Sequence, residues 1–236
     1  MSVTNSLGQP VGFGLADWVP PSTFEPVVLK GNYVALEPMV LGDGQSIFDA
    51  LGDEPDSLWT YMSFGPFGDA AEVEAIVIDM LDRADWSPYV VEVDDRVRGF
   101  LAYLRIDNPG GVIEIGSIVF HSSIQRSTAT TEAIFLLIDH AFECGYRRVE
   151  WKCDALNAPS MRAAERLGFT YEGTFRQATH YKGRNRDTAW YAIVDGDWPE
   201  IRASFKQWLS PGNFDDSGTQ ERTLQGIRQD LMVQGR

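Results

Sequence analysis

Apolar and polar positions change period several times along the chain, and each change marks an element. Residues 32–37 read as a first strand. A short helical stretch follows at 45–51, then a stronger one from Asp69, where Val73, Ile76, Val77, Met80 and Leu81 recur at helical spacing. Residues 89–93 and 97–106 are rich in β-branched and aromatic side chains and are joined by Asp94 and Asp95, a short polar turn. Asn108, Pro109, Gly110 and Gly111 form the next turn. It feeds Val112–Phe120, the most apolar strand and therefore a central one. A helix begins near Thr130, with Ile134, Leu137, Ile138, Ala141 and Phe142 on one face and Gly145 at its C-terminal end.

The second half continues the alternation. Residues 148–153 read as a strand, and Asn157 and Gly168 cap a helix over Ala158–Leu167. Strands at 171–179 and 188–194 flank the turn-prone Lys182, Gly183, Arg184 and Asn185. Asp197 and Glu200 have capping-box spacing ahead of a helix carrying Trp198, Ile201, Phe205 and Leu209. Residues 1–28, with Pro10, Pro20, Pro21 and Pro26, read as an irregular arm whose Phe13, Trp18 and Phe24 lie against a surface. After residue 210 the chain is polar, with one weak helical stretch at 224–231. The order predicts a single mixed α/β (α+β) fold: an arm over 1–31, a domain over 32–209 and a polar tail over 210–236.

Composition narrows the class. With 236 residues, 44% of them apolar and 23% charged, the chain can bury a sizeable core without staples. No apolar run approaches the ~20 residues of a spanning helix, and the first residues lack the pattern of a secretory signal. Cys144 and Cys153 have no Cys-x-x-Cys spacing, so the expectation is a reduced, cytoplasmic chain with no disulfide and no metal site. Twenty basic residues against 34 acidic ones give a net charge of −14. That sign argues against nucleic acid as a partner, and its field would gather cationic amines or basic peptides.

The junction 116–132 is the first candidate for chemistry. A strand runs into a loop that opens a helix, presenting free backbone N–H groups and the positive end of the helix dipole, a ready site for a phosphate. Ser127, Thr128 and Thr130 can add hydroxyl donors, although Ser and Thr also serve as ordinary helix caps.

The order of motifs adds more. Residues 115–120, the loop 125–130 with Thr131, Glu132 and Ala133, and GYRRVEWKC at 145–153 come first. Asn157, Ala158, Pro159 and Ser160, AERLGF at 164–169, EGTFR at 172–176 and KGRNRDTAW at 182–190 follow in order. In this run the chain resembles the GNAT N-acetyltransferase superfamily, specifically its RimJ/RimL-like branch, over roughly 32–209. The resemblance implies a central mixed sheet flanked by helices and acetyl-CoA as cosubstrate. Backbone at Ile118, Val119 and Phe120 would pair with the pantetheine arm like an added strand. The pyrophosphate would sit on Gln125, Arg126, Ser127, Thr128, Ala129 and Thr130. This loop departs from the superfamily pattern, with Thr128 and Thr130 at its two glycine positions. Asn157 would face the pantetheine arm, and Ser160 would stand near the sulfur as a proton donor.

Direct transfer from a thioester needs a neutral amine and a stabilised thiolate, but no enzyme nucleophile. Glu114 on the central strand is the candidate base, with His180 as its rival. Trp59, Tyr61 and Phe64 either line an acceptor pocket or cover the core. Arg184, Arg186 and Asp187 read as a loop ion pair worth under about 1 kcal/mol. The expected acceptor is a primary amine, either a protein N-terminus or a small molecule. The alternative is an acyl-CoA-binding module without chemistry. The aromatic arm suggests a homodimer.

Overall fold

The computed structural model describes residues 2–234. Eight strands form one sheet in the order β3-β4-β5-β6-β7-β8-β10-β9. The first four are β3 (Leu29–Lys30), β4 (Ala35–Pro38), β5 (Ser87–Val93) and β6 (Arg96–Asp107). The rest are β7 (Val112–Phe120), β8 (Arg148–Asp154), β9 (Thr170–Tyr181) and β10 (Arg184–Val194). A separate hairpin pairs β1 (Ser2–Thr4) with β2 (Pro10–Gly12) inside the arm that composition marks as irregular. Within the large sheet neighbours run antiparallel except β7 and β8, which are parallel and joined through helix α3 (Thr128–Glu143). This is the mixed sheet flanked by helices that the resemblance implies, and it fits the single mixed α/β domain that the element order predicts.

Strand alternation divides the core in two, because successive side chains point to opposite faces. Val90, Phe100 and Val119 join α1 (Gly44–Leu51) and α2 (Ala70–Leu81) on one face. Val91, Leu101, Ile113 and Ile115 join α3, α4 (Ala158–Leu167) and α5 (Trp198–Trp208) on the other. Local chemistry sets the element ends. Asp69 accepts the Glu72 amide at 2.9 Å to start α2, and Gly168, at φ +104°, stops α4 in the left-handed region. Asp94 and Asp95 both sit at positive φ, as the tight β5–β6 hairpin turn requires.

Four local expectations need correction. Helix α3 starts at Thr128, with Ser127 as its cap, and β9 and β10 extend to a two-residue turn at Lys182 and Gly183. Asp197 has helical backbone and makes no side-chain cap bond, so the capping box does not close. Trp18 donates to the Gly145 carbonyl and Phe24 packs edge-on against Tyr103, whereas Phe13 is 54% exposed. The helical stretch expected in the tail is present as α6 (Leu224–Gln234), and its Leu224 and Ile227 are buried in the main core. Among the described residues no helix is long and apolar enough to cross a membrane.

Candidate active site

The parallel ladder between β7 and β8 starts at Val112 and Arg148 and ends at Ile115 and Trp151. Past that point β7 carries an extra residue relative to β6, and Ser117 there has φ 49°. Such a bulge bends a strand and re-aims its neighbours. Residues 118–120 stay beside β6, and between β7 and β8 a cleft of about 680 Å³ opens. Ile118, Asn157 and Ser160 line one part of it; Glu114, Lys152, Arg186 and Trp190 line another.

Two more bulges shape the same cleft. Opposite β7, β6 gains a residue at Arg105 (φ 50°), and opposite β10, β9 gains two around Gln177 (φ 51°). The Asp187 carboxylate accepts the Gln177 amide at 2.8 Å and holds the second bulge in place. Non-glycine residues at positive φ inside strands store strain, and here they gather at one place.

A ladder of alternating charge starts on the cleft lining at Arg105, Glu114 and Lys152 and runs out of it. Arg105 Nε lies 3.7 Å from Glu114, and Lys152 Nζ donates to Glu114 at 2.9 Å and approaches Glu150 at 2.7 Å. Arg148 then donates to Glu150 and to Glu172, both at 2.8 Å. Glu114 is only 7% exposed. Burial raises its carboxyl above the usual range, opposed by Lys152 and Arg105. The Lys152 ammonium also sits 3.7 Å from the Trp190 ring centroid.

Three hydrogen bonds cross the cleft mouth. Lys182 Nζ donates to the Trp59 carbonyl at 2.8 Å, Arg184 to the Thr60 carbonyl at 2.9 Å, and Tyr61 Oη to the Leu156 carbonyl at 3.0 Å. They join the loop between α1 and α2 to the β9–β10 hairpin and to the start of α4. Arg184 and Arg186 therefore make no ion pair with Asp187, contrary to the sequence expectation, because each faces a different neighbour.

The loop before α3 opens on a second cavity of about 480 Å³. Arg126, Ser127, Thr128 and Thr131 line it with Arg166 of α4, Trp208 of α5, and Gln220 and Thr223 of the tail. Arg166 donates to Thr131 Oγ1 at 2.8 Å, and Trp208 Nε1 to Gln220 at 2.7 Å. Ala129 and Thr130 are buried, and Gln125 turns back to donate to the Phe120 carbonyl at 2.9 Å.

The structure thus brings Glu114, Ile118, Asn157, Ser160, Tyr61 and Phe64 to one cleft. Asn157 Oδ1 accepts the Ser160 amide at 3.2 Å, and Ser160 Oγ accepts from Trp151 Nε1 at 3.0 Å. Val119 is buried against α1 and α2 with its backbone paired to Phe100 of β6, and Phe120 packs on the main core. Two expected site residues lie elsewhere. His180 is exposed and outside the cleft lining, whereas its neighbour Thr179 lines the cleft. Trp59 is 2% exposed, packed against Phe67 at 5.0 Å, so it supports the loop rather than the cleft. Arg105, Lys152 and Arg186 join the site unannounced; the usable signal is Glu114 inside the apolar β7 and the alternation of charged with apolar residues along β8.

A splayed parallel strand pair with a helix N-terminus beside it defines a GNAT-type acetyltransferase fold. The family model of the acetyltransferase (GNAT) family matches residues 54–169. A GCN5-related N-acetyltransferase from Brucella melitensis is 40% identical, with 91% of this chain and 100% of that one aligned at a TM-score of 0.87. A GNAT-family protein from Chromobacterium violaceum is 38% identical over 81% of this chain and 98% of its own, with a TM-score of 0.77. The Salmonella typhimurium enzyme that modifies the N-terminal serine of ribosomal protein L7/L12 shares the fold at 20% identity and a TM-score of 0.64, over 71% of this chain and 99% of its own. The chain belongs to the GNAT family of acetyltransferases.

Proposed function

We propose that this protein moves the acetyl group of acetyl-CoA directly to a primary amine, in the manner of the RimJ/RimL-like branch. The observation that carries the reading is the β7 edge freed beyond Ile115, facing Asn157 and Ser160 across the cleft. That edge fits a pantetheine arm, because beyond Ile115 no residue of β8 pairs with it and Ile118 lines the cleft. The second cavity fits the phosphate end: Arg126 and Arg166 supply positive charge, and α3 supplies its N-terminus. On this reading residues 32–209 form the acetyltransferase unit, and the tail adds a wall to its cofactor site.

Acetyl-CoA would supply an acetyl thioester. The amine nitrogen forms a bond to the acetyl carbon as the carbon–sulfur bond breaks. Glu114 takes the proton leaving the amine, directly or through water; Ser160 donates a hydrogen bond to the departing thiolate, which takes up a proton. Burial suits Glu114 to this work, since a raised pKa makes a stronger base while the carboxyl still ionises. Lys152 and Arg105 keep it charged and in place.

Thiol release across a panel of amines and short peptides tests the reading. Glu114→Gln keeps the shape and removes the basicity, so kcat should fall ~10²–10⁴-fold with acetyl-CoA affinity unchanged. Wild-type kcat/KM should rise with pH as Glu114 and the amine lose protons. Tight acetyl-CoA binding with no turnover of any amine would instead make the protein an acyl-CoA-binding module.

A further inference from the structure

We infer that the acceptor is a small amine bearing a carboxylate, and that Arg186 receives that carboxylate. The inference rests on the acetyltransferase reading and names its second substrate.

Most charges in the cleft are already committed. Arg105 and Lys152 share Glu114, and Lys152 also meets Glu150. Asp154 accepts from Tyr181 Oη at 2.7 Å and from the Leu156 amide at 2.8 Å. Arg186 differs. Among the described residues its guanidinium makes no salt bridge, and its Nε is shielded from solvent with no hydrogen-bond partner. Asp187, next along β10, makes no salt bridge with it and turns its Oδ1 to Gln177 and Asn185. Trp190 Nε1, in the same cleft, is a second shielded donor without an acceptor.

Donors lacking an acceptor are costly, and a guanidinium on the cleft lining with no salt bridge among the described residues calls for an acceptor from outside. A guanidinium fork matches a carboxylate through two parallel hydrogen bonds. Arg186 therefore places a cation without a salt bridge on the cleft lining of a strongly anionic protein, a partner for an anion that net charge alone does not suggest. Its volume of about 680 Å³ and the three bonds across its mouth suit a compact molecule.

The test compares acceptors that differ only in the anionic group. Wild-type kcat/KM is measured for the common amino acids, their amides, the corresponding decarboxylated amines and aminophosphonate analogues. Carboxylates should lead their amides and amines by roughly 10- to 100-fold for the acceptors that turn over. Arg186→Gln should abolish that lead, and Arg186→Lys should restore part of it, with acetyl-CoA affinity unchanged in both. Should a variant fail to fold, the wild-type series decides alone. Equal rates for acids and amines, or a preference that survives Arg186→Gln, would overturn the inference. So would a preference for the phosphonates, which would give the same arginine a phosphorylated acceptor. Calorimetric binding of the same series without acetyl-CoA applies these criteria even if no turnover is seen. The acetyltransferase reading, by contrast, fails if acetyl-CoA does not bind, or if it binds and no amine of any kind turns over.

Discussion

On the α3 side of β7, the packing is apolar: Ala133, Ile134, Leu137 and Ile138 press on Ile113 and Ile115 in one continuous core. On the β8–β10 side, the same sheet carries Arg105, Glu114, Lys152, Glu150, Arg148 and Glu172 as a ladder of alternating sign. The first region positions a backbone edge, which needs only rigid packing. The second positions charges, and buried charges hold their place only through one another. Under the proposed function, the cofactor side is thus set by shape and the acceptor side by electrostatics. A single methylene matters in the first; a single proton matters in the second.

The sharpest way to break that contrast is Lys152→Met. The ammonium lies between Glu114 and Glu150, and its removal leaves two buried carboxylates facing each other. Loss of one partner from a buried network costs about 3–5 kcal/mol. Urea unfolding at neutral pH should show it. The sign with pH follows from linkage. Lys152 opposes the rise that burial imposes on Glu114, so the variant raises that carboxyl further; the deficit is full while it is ionised and shrinks as acid protonates it. A deficit independent of pH would mean that Lys152 acts through packing on Trp190 alone.

A second substitution tests the cofactor side. Thr128 lines the second cavity at the start of α3, so Thr128→Asp sets a negative charge where a phosphate is expected. Acetyl-CoA affinity should drop by roughly 10-fold, with stability little changed, because an acidic side chain suits a helix N-terminus. The same change at Ala129 would not report on binding, since that side chain is buried in the core. Undiminished stabilisation by acetyl-CoA in Thr128→Asp would move the phosphate elsewhere.

Sequence reading reached these two regions unequally, for a physical reason. The cap at Asn157, the stop at Gly168 and the apolar run of β7 are local signals, and each holds in the structure. The charge ladder depends on register: Lys152 meets Trp190 across β8 and β10, and Glu114 meets Glu150 across β7 and β8. No local pattern sets those pairings. Loop aromatics were harder still. Trp59 turns inward and Tyr61 outward, and the hint lies in Gly65, where a Cβ would meet the Trp59 ring at 2.6 Å. His180 and Thr179 are likewise separated by strand alternation through a bulge that sequence does not announce.

The smallest expected effect lies at the outer end of the ladder, and it tells whether the whole ladder behaves as one unit. Glu172 is held below its usual carboxyl range chiefly by hydrogen bonds from Arg148, with burial opposing them. A lowered folded-state value means stability that is present above the unfolded pKa and lost as pH falls through the folded one. The Glu172 side chain is 40% exposed, so solvent screens the pair and Glu172→Gln should cost less than about 1 kcal/mol near neutrality. That cost should vanish in acid, and salt should reduce it as well, since exposed pairs are screened. The Lys152→Met deficit, arising in the interior, should resist salt. Arg148 keeps Glu150 as a partner in Glu172→Gln, so kcat should not change. A salt-resistant loss of several kcal/mol, or a fall in kcat, would show that the ladder transmits from β9 to Glu114 as one body, and the boundary between exposed and buried charge would lie further out than Arg148.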